Sequence, residues 1–421
     1  MMKKVSIIIP MQQHSYQTAV GLIKGQLLER YYTTVYYKKN LLYLTIGFLL
    51  PSKLYKRMQS RHNSVMTPYV KTYAEIWGLL FLFAGRIPIL KKYVTSIRKI
   101  LFRKFSRQTS NNVIKNGTSY VWGFDSWSVE TFEELDKKNA KTVKILDMAS
   151  TAAPTIQKII NEEYNKQEDF FYTFERNRMM YSDDRVRQYC EELTLADYFL
   201  SPSVWVTNSL EEAGIESRRI LNLPHGVDIH RFKAKDSYHT QERLRFLFVG
   251  RVEAAKGIRY LFQAFKDLKD YPVELLVVGN AYTWRKEVEN YSNNISYLGL
   301  KLESEIPNIY QNADIFILSS LWEGSALSML EAMASGLPVI ASSHSCAPDI
   351  IKDGKNGFVY NPYDIEALKK YILWFCNHRE EIPRLGCDAR KTAESNTWEV
   401  YYKNVGNIIL EIEKLENEKG C

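Results

Sequence analysis

The chain has 421 residues, 25% of them charged and 45% hydrophobic, a globular balance with room for two domains, which excludes a disordered or collagen-like chain. Its net charge of +8 is uneven: through Asp147 there are 24 Lys/Arg against 8 Asp/Glu, leaving 32 against 40 for the remainder. Five scattered cysteines (Cys190, Cys346, Cys376, Cys387 and Cys421) form no C-x-x-C pair, which argues against a disulfide frame or a zinc site and fits a reducing cytoplasm; the apolar run after MMKK is too short for a secretory signal.

Residues 4–10 (KVSIIIP) predict a buried parallel strand. A loop over 11–16 follows, then a helical pattern from Thr18 to about Arg30, and β-branched and aromatic residues 31–37 (YYTTVYY) predict a strand. Between Leu41 and Lys104 lie two apolar runs, LLYLTIGFLL and IWGLLFLFAG. Each falls well short of the roughly 20 residues that span a bilayer. Lys53, Lys56, Arg57 and Arg61 follow the first; Arg86, Lys91, Lys92, Arg98 and Lys99 follow the second. This pattern describes an interfacial helix on anionic lipid, and equally a buried helix with a solvated basic rim. No nucleic-acid-binding motif is present. Strands are predicted over 119–124, with a turn at Gly123, and over 142–147 (TVKILD), with a helix over 131–139 between them. The loop 148–154 (MASTAAP) leads to a helix through Lys166. A strand within 193–203, a helix and a short strand then reach Pro224-His225-Gly226, which reads as a linker.

Residues 245–249 (RFLFV) form a strand that ends in Gly250-Arg251, with Lys256-Gly257 soon after. Open α/β sheets bind ligands beyond the carboxyl ends of such strands. Arg251 offers a phosphate a fork of donors and Lys256 a point charge. GRVEAAKG is not G-x-G-x-x-G, which argues against a dinucleotide oxidoreductase. Strands over 273–279, 296–299 and 314–318 lead to EGSALSMLEAMASGLPVIAS, residues 323–342. There a carboxylate, a polar turn, a helix, a second carboxylate, a Gly/Pro stop and a new strand succeed one another. The unpaired N–H groups at Gly324, Ser325, Ala326 and Leu327 suit a phosphate, with Ser325 as the expected N-cap. Glu331, two turns on, can accept from hydroxyls such as those of a ribose. The same stretch also describes an ordinary αβ unit with solvated glutamates. Residues 398–415 predict one long helix, with a frayed tail after Leu415.

Residues 323–342 resemble the signature of retaining glycosyltransferases of family four (glycosyl transferases group 1). That motif has two glutamates with seven residues between them, here Glu323 and Glu331, a glycine after the first, here Gly324, and then Glu-Ala-x-Ala-x-Gly-x-Pro-Val-Ile, here Glu331, Ala332, Ala334, Gly336, Pro338, Val339 and Ile340. Where the family often has Phe-Gly next, this chain has Ser325-Ala326. The resemblance covers about 201–373 with good motifs, and earlier residues only in strand order and around Asp147.

The resemblance implies an α/β fold of two facing Rossmann-like domains (GT-B). The expected organisation is an acceptor-side domain over 1–225, a nucleotide-sugar domain over 226–397, and a helix over 398–421 that returns to the first domain. It implies transfer of a sugar from a nucleotide diphosphate sugar to a hydroxyl of a glycan or lipid-linked acceptor, with retention. Glu323, Arg251 and Lys256 are the expected catalytic residues. Gly250, Arg251, Lys256, Gly279, Leu300, Glu323, Gly324, Ser325, Ala326, Leu327 and Glu331 are expected at the donor. His14, Ser150 and Thr151 are expected on the acceptor side. The family's glycine pair is missing from the first loop, and Ala152-Ala153 stand where its sugar-facing histidine is expected. No Asp-x-Asp occurs, so no metal or other cofactor is expected beyond the donor substrate. The expected setting is cytoplasmic, peripheral on the inner face of an anionic membrane, with no nucleic-acid partner. The rival readings are a non-catalytic GT-B partner subunit, a phosphorylase or epimerase on the same scaffold, and a pure membrane-binding module.

Overall fold

The computed structural model describes residues 4–11, 14–39, 41–49, 52–84, 88–164, 171–238, 242–281 and 285–419. Two parallel sheets organise it. The first holds β1 (Val5–Ile8), β2 (Leu28–Thr33), β3 (Val70–Thr72), β4 (Tyr120–Phe124), β5 (Val143–Asp147), β6 (Tyr198–Ser201) and β7 (Ile220–Asn222), in the order β3-β2-β1-β4-β5-β6-β7. The second holds β8 (Leu244–Val249), β9 (Val273–Val278), β10 (Ile295–Gly299), β11 (Ile315–Leu318), β12 (Val339–Ser342) and β13 (Gly357–Tyr360), in the order β10-β9-β8-β11-β12-β13. Every strand pairing is parallel. Helices cover both faces, so the central strands are buried throughout and read as continuous apolar runs, as in Val5–Ile8 and Ile315–Leu318. The sequence order reverses beside β1 and β8, and the crevices this creates at the strands' carboxyl ends are where open sheets bind ligands.

The last helix, Trp398–Lys419, returns to the first sheet as expected. Tyr401, Val405, Ile408 and Ile412 share a core with Val5, Ile7, Leu22 and Trp122. The Thr18 and Tyr401 hydroxyls are hydrogen-bonded at 2.9 Å, and Tyr198 donates to Glu416 at 2.7 Å. The helix continues past Leu415 as far as Lys419, where a frayed tail was expected, and that second bond lies within this stretch.

The first helix is Ser15–Lys24, not 18–30. Gly25 follows it and Gln26 takes φ 56°, which turns the chain into β2 about three residues before the strand expected over 31–37. Gly123 lies inside β4 rather than at a turn, because a Cβ there would meet Ser128 Oγ at 2.2 Å; the turn comes at Ser126, with φ 69°. β3 was not anticipated among the basic and apolar stretches around it. The helix Ala153–Tyr164 is as expected, with Lys166 outside the described residues.

The two apolar runs form the helices Leu41–Leu49 and Glu75–Ala84. Neither reading of them wins outright. Tyr43, Leu79, Leu82 and Phe83 pack into one cluster with Val35 and Met58, while Phe48 is 92% and Ile76 67% exposed. Lys56, Lys91, Lys92 and Lys99 are exposed nearby in sequence; Arg86 lies outside the described residues, as do the side chains of Lys53 and Arg57. No described helix is long and apolar enough to cross a membrane.

Candidate functional site

The loops after β8 and β11 meet at the mouth of the second sheet. β8 ends at Val249, and the N–H of Gly250 just past it bonds Val278 O at 2.9 Å. Gly279 closes beneath it with φ 152°; a Cβ there would lie 1.7 Å from Gly250 O. After Arg251 the chain makes a short 3-10 turn, Ala254–Lys256, and Gly257 takes φ 62° against Ser319 O. Ser319 Oγ donates to Lys256 O at 2.7 Å, and Leu321 N to Ala255 O at 2.9 Å. These bonds seat the Lys256 side chain against the next loop, where its Nζ donates to Glu323 Oε2, which also accepts from Ser320 Oγ at 3.2 Å. Both members of this ion pair are largely buried. Arg251 stays half-exposed and pairs with the buried Glu253 carboxylate at 3.0 Å.

The helix begins at Leu327 and its cap is Ala326, not Ser325. Ala326 takes the left-handed conformation, φ 45°, while Ser325 is buried with its carbonyl accepting from Cys346 Sγ. The serine side chain therefore has no helix N–H to hold. Among the described residues, the backbone N–H groups of Gly324, Ser325 and Ala326 find no acceptor in the protein, which leaves donors next to Lys256. Glu331 accepts from the Tyr310 hydroxyl at 3.1 Å, and burial pushes its carboxyl up to about 7. Leu300, just past β10, stands 70% exposed on the rim.

The first sheet approaches the same loop. Thr151 Oγ1 donates to Glu323 O at 3.2 Å and itself accepts from Trp205 Nε1 at 2.8 Å. Ser203 Oγ donates to Gly324 O at 3.1 Å, and Val204 N to Asp349 at 3.0 Å. Trp205 stacks on His344 at 4.0 Å, and Ile156, Ile159 and Ile160 pack on Ala254, Ala255, Leu321 and Trp322. Ser150 and Thr151 thus lie against the glutamate loop. They also line a cavity of about 30 Å³, room for a water or two, with Asp125, Tyr181, Tyr189 and Glu192. Burial raises the Asp125 carboxyl to about 6 and that of Glu192 to about 8, although Glu192 accepts from the Ser126 and Ser128 N–H groups at 2.6 Å. Sequence reading missed Asp125, although its place just past β4, at a strand's carboxyl end, was a usable signal. Tyr181 and Glu192 carry no such signal.

His14 is not at the glutamate loop. It sits deeper, with Nε2 3.2 Å from Asp147 Oδ2 and its ring 4.3 Å from that of His225. Burial works against a charge on both imidazoles. Beside His14 the Asp147 carboxylate more than offsets it, so the pKa of His14 is raised; His225, which faces His14, is held well below the usual range. His225, expected as a plain linker residue, is therefore part of a buried polar cluster.

Residues 230–392 match the family profile described as Glycosyl transferases group 1 and form a domain of that type. Among curated proteins, the chain is 34% identical over 180 residues to the spore coat protein SA of Bacillus subtilis, covering 38% of this chain and 47% of that one. It is 29% identical over 180 residues to the UDP-Gal:alpha-D-GlcNAc-diphosphoundecaprenol alpha-1,3-galactosyltransferase of Escherichia coli, covering 38% of this chain and 46% of that one. The chain thus spans about half the length of these relatives. The solved sucrose-phosphate synthase of Thermosynechococcus elongatus superposes with a TM-score of 0.68 at 16% identity, covering 98% of this chain and 100% of that one. The likeness spans both sheets and the returning helix, and the fold is GT-B.

Proposed function

We propose that the chain is a glycosyltransferase that moves a sugar from a nucleotide diphosphate sugar to a hydroxyl of a glycan or lipid-linked acceptor, with retention of configuration. The carrying observation is the Lys256–Glu323 pair set beside the free N–H groups of Gly324 to Ala326, with Ser150 and Thr151 of the opposite sheet against the same loop. In this reading residues 1–225 hold the acceptor, 226–397 hold the donor, and 398–421 tie the two together.

As the bond from the anomeric carbon to the diphosphate breaks, negative charge grows on the leaving phosphate and positive charge on the sugar. Arg251, Lys256 and the N–H groups meet the negative charge with fixed donors, and such donors stabilise the transition state more than the ground state. No metal is invoked for this step. Glu323, steered by Lys256, faces the sugar, and Glu331 takes the ribose hydroxyls. The acceptor oxygen bonds to the anomeric carbon on the face the phosphate leaves, and its proton passes to the departing phosphate oxygen. Ser150 orients the acceptor in place of the family's histidine, while Thr151 holds the glutamate loop.

The named galactosyltransferase relative makes UDP-galactose the first donor to test and a diphosphate-linked lipid the first acceptor class. Exposed Phe48 and Ile76, with Lys91, Lys92 and Lys99 in the same basic stretch, suit a peripheral site on an anionic inner-face membrane. The test of the chemistry is the anomeric configuration of the first-formed product by NMR. Retention supports the reading. Inversion removes the same-face step, and donor binding without turnover on any acceptor favours the partner-subunit alternative.

A further inference from the structure

Below the glutamate loop, three stretches distant in sequence converge on one point. His14 precedes the helix Ser15–Lys24, with no side-chain capping bond. Asp147 is the last residue of β5, and His225 stands in the linker between the sheets. One potential ligand atom from each lies within 4.8 Å of the others. His14 Nε2 faces Asp147 Oδ2 at 3.2 Å, whereas His225 Nδ1, in a residue only 7% exposed, is buried with no hydrogen-bond partner. Buried polar atoms are ordinarily paired, so the orphaned His225 nitrogen, beside a second imidazole and a carboxylate, suits a group that takes lone pairs from all three.

A water can bridge two or three such atoms by hydrogen bonds, whereas a cation takes a lone pair from each of the three, and metal titration tells the two apart. Two imidazoles and a carboxylate form a donor set for a first-row divalent ion such as zinc, with a water to complete the four ligands. The outer contacts are those a metal ligand needs. Trp122 Nε1 donates to Asp147 Oδ2 at 3.0 Å and fixes the carboxylate, while Trp398 and Tyr401 of the returning helix pack on the His225 ring.

We propose that His14, Asp147 and His225 bind one first-row divalent transition-metal ion, zinc by preference, which pins the linker to the first sheet. The ion is structural and takes no part in the transfer step. It fixes where the second sheet departs from the first, three residues from Ser150 at the cleft. Sequence spacing could not reveal the site, since each ligand comes from a separate stretch with no paired motif.

The test uses the untagged full-length chain, stripped with a chelator and titrated with zinc and cobalt chlorides by calorimetry and thermal unfolding, beside His14→Gln and His225→Asn. The expected result is one equivalent bound, a raised Tm on adding metal, and affinity at least about 100-fold weaker in each variant. Should a variant fail to fold, the cobalt spectrum of the wild type decides, because nitrogen and oxygen ligation without sulfur is expected, with two histidine ring resonances broadened. No binding by the wild type, binding undiminished in folded variants, or thiolate-to-cobalt charge transfer would each overturn the proposal.

Discussion

Thr151 donates its hydroxyl hydrogen to the main-chain carbonyl of Glu323 at 3.2 Å, joining the loop after β5 of the first sheet to the glutamate loop of the second. Ser203 does the same one residue later, to Gly324 O at 3.1 Å. The two hydroxyls hold the stretch that carries the first glutamate by its main-chain oxygens, while the N–H groups of Gly324 to Ala326 find no acceptor among the described residues.

Gly324 is the tightest point of this contact, since a Cβ there would lie 2.2 Å from Ala149 O. Neither atom is a flexible side-chain end, so Gly324→Ala props the sheets apart. A displacement of about 1 Å at a reacting centre costs on the order of a hundredfold in rate. The variant is expected to remain folded, to scatter as a more open particle at small angles, and to lose kcat on that scale. An alanine variant with wild-type kcat and an unchanged scattering profile would contradict the closed contact.

Ala326 shows what the chain's departure from the family pattern costs. The family often has glycine here, and the structure places Ala326 at φ 45°, where a Cβ costs about 1–2 kcal/mol. Ala326→Gly is expected to raise the unfolding free energy by about 1 kcal/mol, after allowance for the extra freedom of glycine in the unfolded chain. Urea unfolding measures it, and a loss of stability of that size would show that the buried methyl matters more than the strain.

Glu331 makes stability depend on pH. Burial raises its carboxyl from the ordinary value of 4.5 to about 7. The folded protein therefore holds this proton more tightly than the unfolded chain. The resulting stabilisation is full below about pH 4.5 and is lost as pH rises through about 7. Glu331→Gln keeps an acceptor for the Tyr310 hydroxyl but cannot ionise. Its Tm relative to wild type is expected to climb between pH 5 and pH 8, and a difference that stays flat across that range would remove the raised pKa. In kinetics, Glu331→Ala is expected to raise the donor KM.

The membrane reading rests on Phe48 and Ile76 and on the basic residues beyond them. Phe48→Ser, and separately neutralisation of Lys91, Lys92, Arg98 and Lys99, is expected to release the protein from anionic vesicles, with the charge variant alone losing its salt dependence. Equal retention of both variants and wild type on the vesicles would count against a surface there.

Much of the fold was legible because parallel strands buried on both faces announce themselves as apolar runs. The runs at 4–10, 142–147, 245–249 and 314–318 all became central strands. The edges were not. The chain turns at Gly25-Gln26 by a positive φ at a non-glycine residue, which no composition rule marks, and β3 is three residues long beside a helix. The glutamate loop was legible as a motif, but its geometry was not. Ser325 looked like a cap because serine usually caps, yet the helix starts one residue later, after Ala326 at φ 45°. His225 looked like a linker residue because its partners, His14 and Asp147, lie far away in the chain. Asp125 was passed over although it follows a predicted strand directly.

The most direct test of the central claim is calorimetric titration of the purified chain with UDP-, GDP- and ADP-sugars, with Arg251→Ala and Lys256→Ala as controls. Each charged hydrogen bond to the diphosphate is worth about 1.5–3 kcal/mol, so each variant should bind at least about tenfold more weakly. The account predicts one donor bound in the micromolar range by the wild type and weakened in both variants. No binding to any donor, or binding that neither substitution disturbs, would contradict it.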